Sequence, residues 1–439
     1  MPSVNDIEQW LVAGDVSRAR EACLSLLAQH PADPSLLTLL ALCEDASGQP
    51  KQALDQLQAI CADHPDQSRA LFHWGRLAMA HGQPDQARQA LSKAIELEPN
   101  HAASRHLLAR LAYRSGQVDE AIEGFKTALM ADRNYLPALC DLALAFTDVG
   151  DTQAALEAAT KALKSDKTLP AGHLAMGTVL LAEGELVQAK QHFTQATDLD
   201  PDSTQGLVML AKTHQKCREH REALAALDRL SGADKERLDA RRIRALSLVQ
   251  LGQTRAAQAL LEGIVSQAPD VDGVLQLMDL YLHHNSEQAL DGLRRQLLDQ
   301  GAAMAELSEL VGAVYCATQA DRAHALELFQ GLADSPVEAI AIRASLWRAR
   351  LLLEMGQPSE MILALQHLDE VASPHPMVRL QMAQLAKQAG DVAFAGACLD
   401  QALAVEPLPD HLRAELIALH DQLNASPETE SNQPPSQRS

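Results

Sequence analysis

The sequence predicts an all-α protein, a solenoid of about twelve helix–turn–helix repeats with a period of 34 residues. Three series carry that prediction. Gly14, Gly48, Gly82, Gly116, Gly150, Gly184 and Gly252 fall on one arithmetic progression, with Arg218 in its single vacant slot. Five residues after each of these positions stands an alanine: Ala19, Ala53, Ala87, Ala121, Ala155, Ala189, Ala223 and Ala257. Seventeen residues after the first series come Pro31, Pro65, Pro99, Pro201 and Pro269.

Each period reads as two helices. In the unit from Gln67 to Asn100 the first helix is expected over roughly Ser68 to His81 and the second over roughly Pro84 to Glu96. Gly82 lies at the turn, where a left-handed residue ends a helix without steric cost. Pro84 suits the first turn of the next helix, where its missing N–H is not needed. Pro99 stops that helix, because the residue before a proline avoids helical geometry. Apolar residues recur at three- and four-residue spacing in both helices. Seven residues before each turn sits a small residue, namely Ala41, Gly75, Ala109, Ala143, Gly177, Ala211 and Ala245. We read these as facing the alanines five residues after the turn, so that the two backbones approach closely.

Beyond residue 285 the signal weakens but stays in phase. Gly356 and Gly390 are one period apart, and Ala395 and Pro407 follow Gly390 at the upstream offsets. Two inserted residues between Ala320 and Gly356 keep twelve units in register. The organisation expected is a regular array over 1–285, degenerate repeats over 286–407, a capping helix over 408–424 and a disordered tail over 425–439. The cap carries Leu412, Leu416, Ile417, Leu419 and Leu423, and the tail SPETESNQPPSQRS has no apolar residue.

Composition narrows the function class. The formal net charge of -21 disfavours nucleic acid and anionic membrane surfaces. Seven cysteines, odd in number and without a CxxC pair, read as small buried side chains in a reducing compartment. The start of the chain shows no signal peptide, and no run of 18 uncharged apolar residues occurs, so a cytoplasmic protein without membrane insertion is expected. No phosphate loop, nucleophile elbow, HExxH or EF-hand motif is present. His214, Cys217 and His220 are the best metal candidates, but they straddle a turn and lack a fourth ligand. The expectation is therefore no enzyme, no cofactor and no metal.

The chain resembles the tetratricopeptide repeat family. The clearest unit runs from Ala70 to Pro99 and carries Leu71, Gly75, Ala87, Ala94 and Pro99 at the signature offsets. Ala128, Ala162 and Ala196 continue the Ala94 column, and Phe125 and Phe193 fit the aromatic position of the second helix. The resemblance implies a right-handed superhelix whose first helices line a concave face that binds peptides or extended protein segments. It also implies adaptors, assembly factors or regulatory arms of enzymes.

Carried onto this sequence, the groove columns give Arg69, Phe72 and Arg76, with His73 adjacent, then His106, Arg110, Tyr113 and Arg114. A second basic cluster comes from Lys212, Gln215, Lys216 and Arg242. Arginine forks bind carboxylates bidentately, so these cations suggest an acidic peptide or terminal carboxylate as guest. The bland alternative is a solvated face that neutralises the chain's own acids. The column nine residues before the turn reads Leu39, His73, Leu107, Asp141, Ala175, Met209, Ile243 and Leu277, with no asparagine. That speaks against the family's chaperone-binding carboxylate clamp and its asparagine ladder. The function expected is a non-catalytic interaction scaffold. The alternative is a regulatory or substrate-recruiting subunit of a multiprotein enzyme complex, for protein modification or surface polysaccharide assembly.

Overall fold

The computed structural model describes residues 3–371, 375–405 and 408–424. Among them lie 25 α-helices and no β-strand. The chain divides into two compact units, Met1–Leu251 and Gly252–Ser439.

Unit one begins with α1 (Val4–Val12), α2 (Val16–Leu27), α3 (Pro34–Ala46) and α4 (Pro50–Asp63). It continues with α5 (Ser68–Ala80), α6 (Pro84–Leu97), α7 (Ala102–Arg114) and α8 (Val118–Ala131). Next come α9 (Leu136–Asp148), α10 (Thr152–Ser165), α11 (Pro170–Ala182) and α12 (Leu186–Leu199). The unit ends with α13 (Thr204–Lys216), α14 (His220–Asp228), a 3-10 turn at Gly232–Glu236 and α15 (Leu238–Gln250). Consecutive helices pack on each other, and each first helix also touches the next first helix: α1 on α3, α3 on α5, and so on to α13 on α15. The first helices thus form one continuous layer.

Unit two holds α16 (Thr254–Gln267), α17 (Val271–His283), α18 (Glu287–Asp299), α19 (Ala305–Thr318) and α20 (Arg322–Leu332). It closes with α21 (Glu338–Glu354), α22 (Pro358–Val371), α23 (Pro376–Gln388), α24 (Val392–Leu403) and α25 (Asp410–Asn424). Here α17, α19, α21, α23 and α25 make the first-helix layer, each touching the next.

The turns explain why the repeat survives loss of its glycine. Gly82 has φ +69°, and the N–H of Gln83 donates to the Ala78 carbonyl at 2.9 Å. Arg218 (φ 61°) and Ala320 (φ 60°) adopt the same conformation, with Glu219 N–H bonded to His214 O and Asp321 N–H to Cys316 O. At the next degenerate turn the left-handed residue is Asn285, one position before the slot at Ser286. A side chain held at positive φ carries strain that glycine lacks. Ala320→Gly is therefore expected to raise stability by about 0.5–1 kcal/mol, net of glycine's larger unfolded-state entropy, as a higher urea midpoint.

Packing extends one sequence expectation. At Gly75 the first helix comes close to the backbone of Ala87, the alanine after the turn, and a larger side chain of the second helix crowds the same spot. A Cβ on Gly75 would stand 2.6 Å from Leu91 Cγ and 3.3 Å from the backbone oxygen of Ala87. At Gly177 it would stand 2.8 Å from Phe193 Cε1. The branched or aromatic residue nine positions after the turn fills the space, while the alanines beside it are fully buried.

Two irregularities interrupt the period, and the sequence located only the second. Helix α14 has 9 residues where other second helices of unit one reach 14, and Ser231 and Gly232 interrupt it within the span expected to be regular. Helix α21 has 17 residues, against 13 in most first helices, and lies in the interval assigned the inserted residues. In the terminal helix Leu412 and Leu416 are buried and Leu419 and Leu423 pack on the core, but Ile417 is exposed, contrary to its assignment to the apolar face. The tail over 425–439 and Pro407 lie outside the described residues. No described helix is long and apolar enough to cross a membrane.

Candidate functional site

The first-helix layer of unit one carries every groove residue singled out from the sequence. Arg69 on α5 reaches past α3 to Glu8 on α1, with Arg69 Nη1 at 2.5 Å from Glu8 Oε1. Phe72 is half-buried on the core and meets the rings of His73 and His101 edge-on at 5.1 and 5.0 Å.

The arginines are brought to one face, as the periodicity implies, but each already faces a carboxylate. Arg76 Nη2 lies 3.6 Å from Asp45 Oδ2 on α3. Arg110 Nε lies 3.2 Å from Asp141 Oδ2 on α9. Their side chains remain about two-fifths exposed, at 43% and 39%. Exposed pairs of this kind contribute about 0–1 kcal/mol each, so their main effect is electrical. They cancel the positive charge that a free groove would offer.

His106 is a correction. It is 4% exposed and does not line the surface. Its Nε2 lies 2.8 Å from Asp141 Oδ2, and the rings of Phe125 and Tyr135 close around it at 5.7 and 5.4 Å. Asp141 is thus held from two sides, by a buried imidazole and an outer guanidinium. Arg110→Glu sets a second carboxylate beside it and is expected to lower stability by about 1 kcal/mol, with the loss reduced in Asp141→Asn, as a double-mutant cycle would show.

His73 is held neutral. Burial pushes its pKa down to about 3, helped by Arg76, Arg69 and His101. Tyr113 donates its hydroxyl to Asp148, and burial with that hydrogen bond pushes its pKa up. Arg114 is exposed with no partner among the described residues.

The second cluster differs. Lys212 and Lys216 stand one turn apart on α13, both exposed, with no carboxylate partner among the described residues. The nearby Glu219 is already engaged by Lys190 at 2.6 Å and by His214 Nδ1 at 2.6 Å. Gln215 donates to the Ile243 carbonyl at 3.2 Å, tying α13 to α15, and Arg242 is half-buried. His214 is therefore committed to a carboxylate. Among the described residues no group of three His, Cys, Asp or Glu side chains could hold a metal ion.

The neutralising acids stand in different columns from the arginines they face, three residues nearer the turn at Asp45 and three further from it at Asp141. Asp45 precedes Arg76, and Asp141 follows Arg110, by one period less three residues. That spacing places opposite charges on adjoining first helices and was readable.

Two family models described as tetratricopeptide repeat match the chain, one over residues 78–142 and 180–247, the other over 11–70 and 140–204. Among solved structures, a thermophilic tetratricopeptide protein of Thermus thermophilus, TTC0263, is 23% identical, covering 42% of this chain and 99% of that one at a TM-score of 0.38. PilF of Pseudomonas aeruginosa is 18% identical, covering 49% and 97% at 0.41. YrrB, described as having an unusual peptide-binding site, is 18% identical, covering 45% and 97% at 0.32. No curated protein matches. With the period, the left-handed turns and both models in agreement, the chain belongs to the tetratricopeptide repeat family.

Proposed function

We propose that this chain is a non-catalytic scaffold that holds an extended, acidic protein segment along the first-helix face of unit one, and that the acid is read at α13. Tetratricopeptide repeats bind protein or peptide partners, and the helical solenoid supplies the surface for it. One observation carries the choice of α13. In a chain of net charge -21, Lys212 and Lys216 are two exposed cations one turn apart with no carboxylate partner among the described residues, while Arg69, Arg76 and Arg110 are matched from within and leave Arg114 as a single unmatched charge. An unmatched cation gains from a guest carboxylate, whereas a matched one must first give up its own.

The test is fluorescence anisotropy of the full chain with a labelled Asp/Glu-rich peptide. Lys212→Glu with Lys216→Glu is expected to weaken binding about ten- to a hundredfold, from two exposed charges each reversed. Thermal stability should stay within about 0.5 kcal/mol. Unchanged affinity in the double variant would remove the assignment.

A further inference from the structure

Unit two carries a cleft of about 550 Å³ that no sequence expectation touched. That volume lies within the ~300–1,000 Å³ of ligand-binding clefts. Its walls come from three first helices. Helix α17 gives Asp279 and Leu282, α21 gives Leu346, Trp347 and Arg350, and α23 gives Gln381, Gln384 and Gln388.

Trp347 is a fixed platform. Its ring stacks on Phe329, which is fully buried, with centroids 6.2 Å apart and planes 12° apart. The Arg350 guanidinium sits 5.5 Å from the ring centroid. An aromatic held from behind offers contact area at little entropy cost. Leu282, Leu346 and Leu385 are only half-buried around it.

The opposite wall is a row of carboxamides. Gln381, Gln384 and Gln388 are spaced three and four residues apart and share one face of α23. All three are exposed and have no hydrogen-bond partner among the described residues. Each offers a donor and an acceptor side by side, which suits the N–H and C=O of a peptide group whatever its side chain.

Charge in the cleft is balanced. Arg343 Nη1 lies 2.9 Å from Asp279 Oδ1, and Arg350 Nε lies 3.3 Å from Glu354 Oε1. The Arg343–Asp279 pair spans α19 just as Arg69–Glu8 spans α3.

We propose that this cleft is a second docking site, for an extended, uncharged peptide segment that seats one bulky apolar side chain on Trp347 and pairs its backbone with Gln381, Gln384 and Gln388. The proposal rests on the reading that first-helix faces take protein segments, but it concerns a different surface and a different partner chemistry. The balanced charge gives an acidic segment no advantage, and a phosphate backbone would meet no net positive field.

The experiment measures anisotropy of the full chain with labelled, end-capped decapeptides of Ser, Gly and Ala carrying one central Phe, Leu or Asp. Phe and Leu peptides are expected to bind at least tenfold more tightly than the Asp peptide. Trp347→Ala should weaken the Phe peptide at least tenfold. Because Trp347 also packs on Phe329, the exposed pair Gln381→Ala with Gln384→Ala is the independent variant. It should weaken the Phe and Leu peptides alike, by three- to tenfold, with helicity unchanged by circular dichroism. Lys212→Glu with Lys216→Glu should leave this binding intact, so failure here and failure at α13 are told apart. No binding of the Phe and Leu peptides, equal affinity in the glutamine variant, or preference for a ten-residue oligo-dT strand would overturn the proposal.

Discussion

Phe125→Ala is expected to lower the unfolding free energy by about 3–5 kcal/mol, read as a shift of the urea midpoint. The size follows from what surrounds the ring. Phe125 is fully buried on α8, in one core cluster with Ala109, Ala112, Ala121, Leu139 and Leu142. Aromatics are only 3% of the sequence, and much of the repeat core is alanine. Alanine has no rotamer with which to refill a void, so the cavity term adds to the lost transfer energy. His106 would also lose a wall, exposing the imidazole that steadies Asp141. Phe125→Leu retains most of the volume and should cost less than half as much. A loss below about 1 kcal/mol for the alanine variant would mean that neighbouring repeats do not share this core.

Gly177→Val should destabilise by about 1–3 kcal/mol, for the opposite reason. A Cβ there would stand 2.8, 2.9 and 3.0 Å from three atoms of the Phe193 ring. The ring has no room to retreat, being fully buried in a cluster with Leu207, Ala211 and Leu227. The control is Gly396→Ala, in α24, where an added Cβ meets nothing within 4 Å. There the change should stabilise by about 0.5–1 kcal/mol, since glycine inside a helix costs entropy. Opposite signs at two helical glycines, read by the same denaturation experiment, would separate close packing from propensity. Equal signs would contradict the packing described here.

The glycine, alanine and proline series located the helices of the α5–α6 pair to within a residue at each end, because the turn conformation and the proline stops act locally. The departures have physical causes too. Backbone hydrogen bonding keeps Arg218 and Ala320 left-handed without glycine, so the turn persists where its marker is lost. The break after α14 has no periodic residue to announce it.

At the candidate site the inward columns were legible one by one, and the electrostatics only by comparing one column with another. Arg76 and Arg110 fall on one face as their spacing requires, yet their charge is answered by Asp45 and Asp141 from adjoining helices. A single column cannot reveal a partner that sits in another. The cleft of unit two was within reach. Continued past Leu277 with the turns at Gly356 and Gly390, the column nine residues before the turn reads Trp347 and Gln381.

The account turns on where an acidic guest lies, and hydrogen–deuterium exchange of the full chain with and without the Asp/Glu-rich peptide reads that directly. Added peptide should slow exchange in and around α13, Thr204–Lys216, and leave α5 and α7 close to their free rates. Protection confined to α5 and α7, with α13 unchanged, would contradict it and return the site to the arginines.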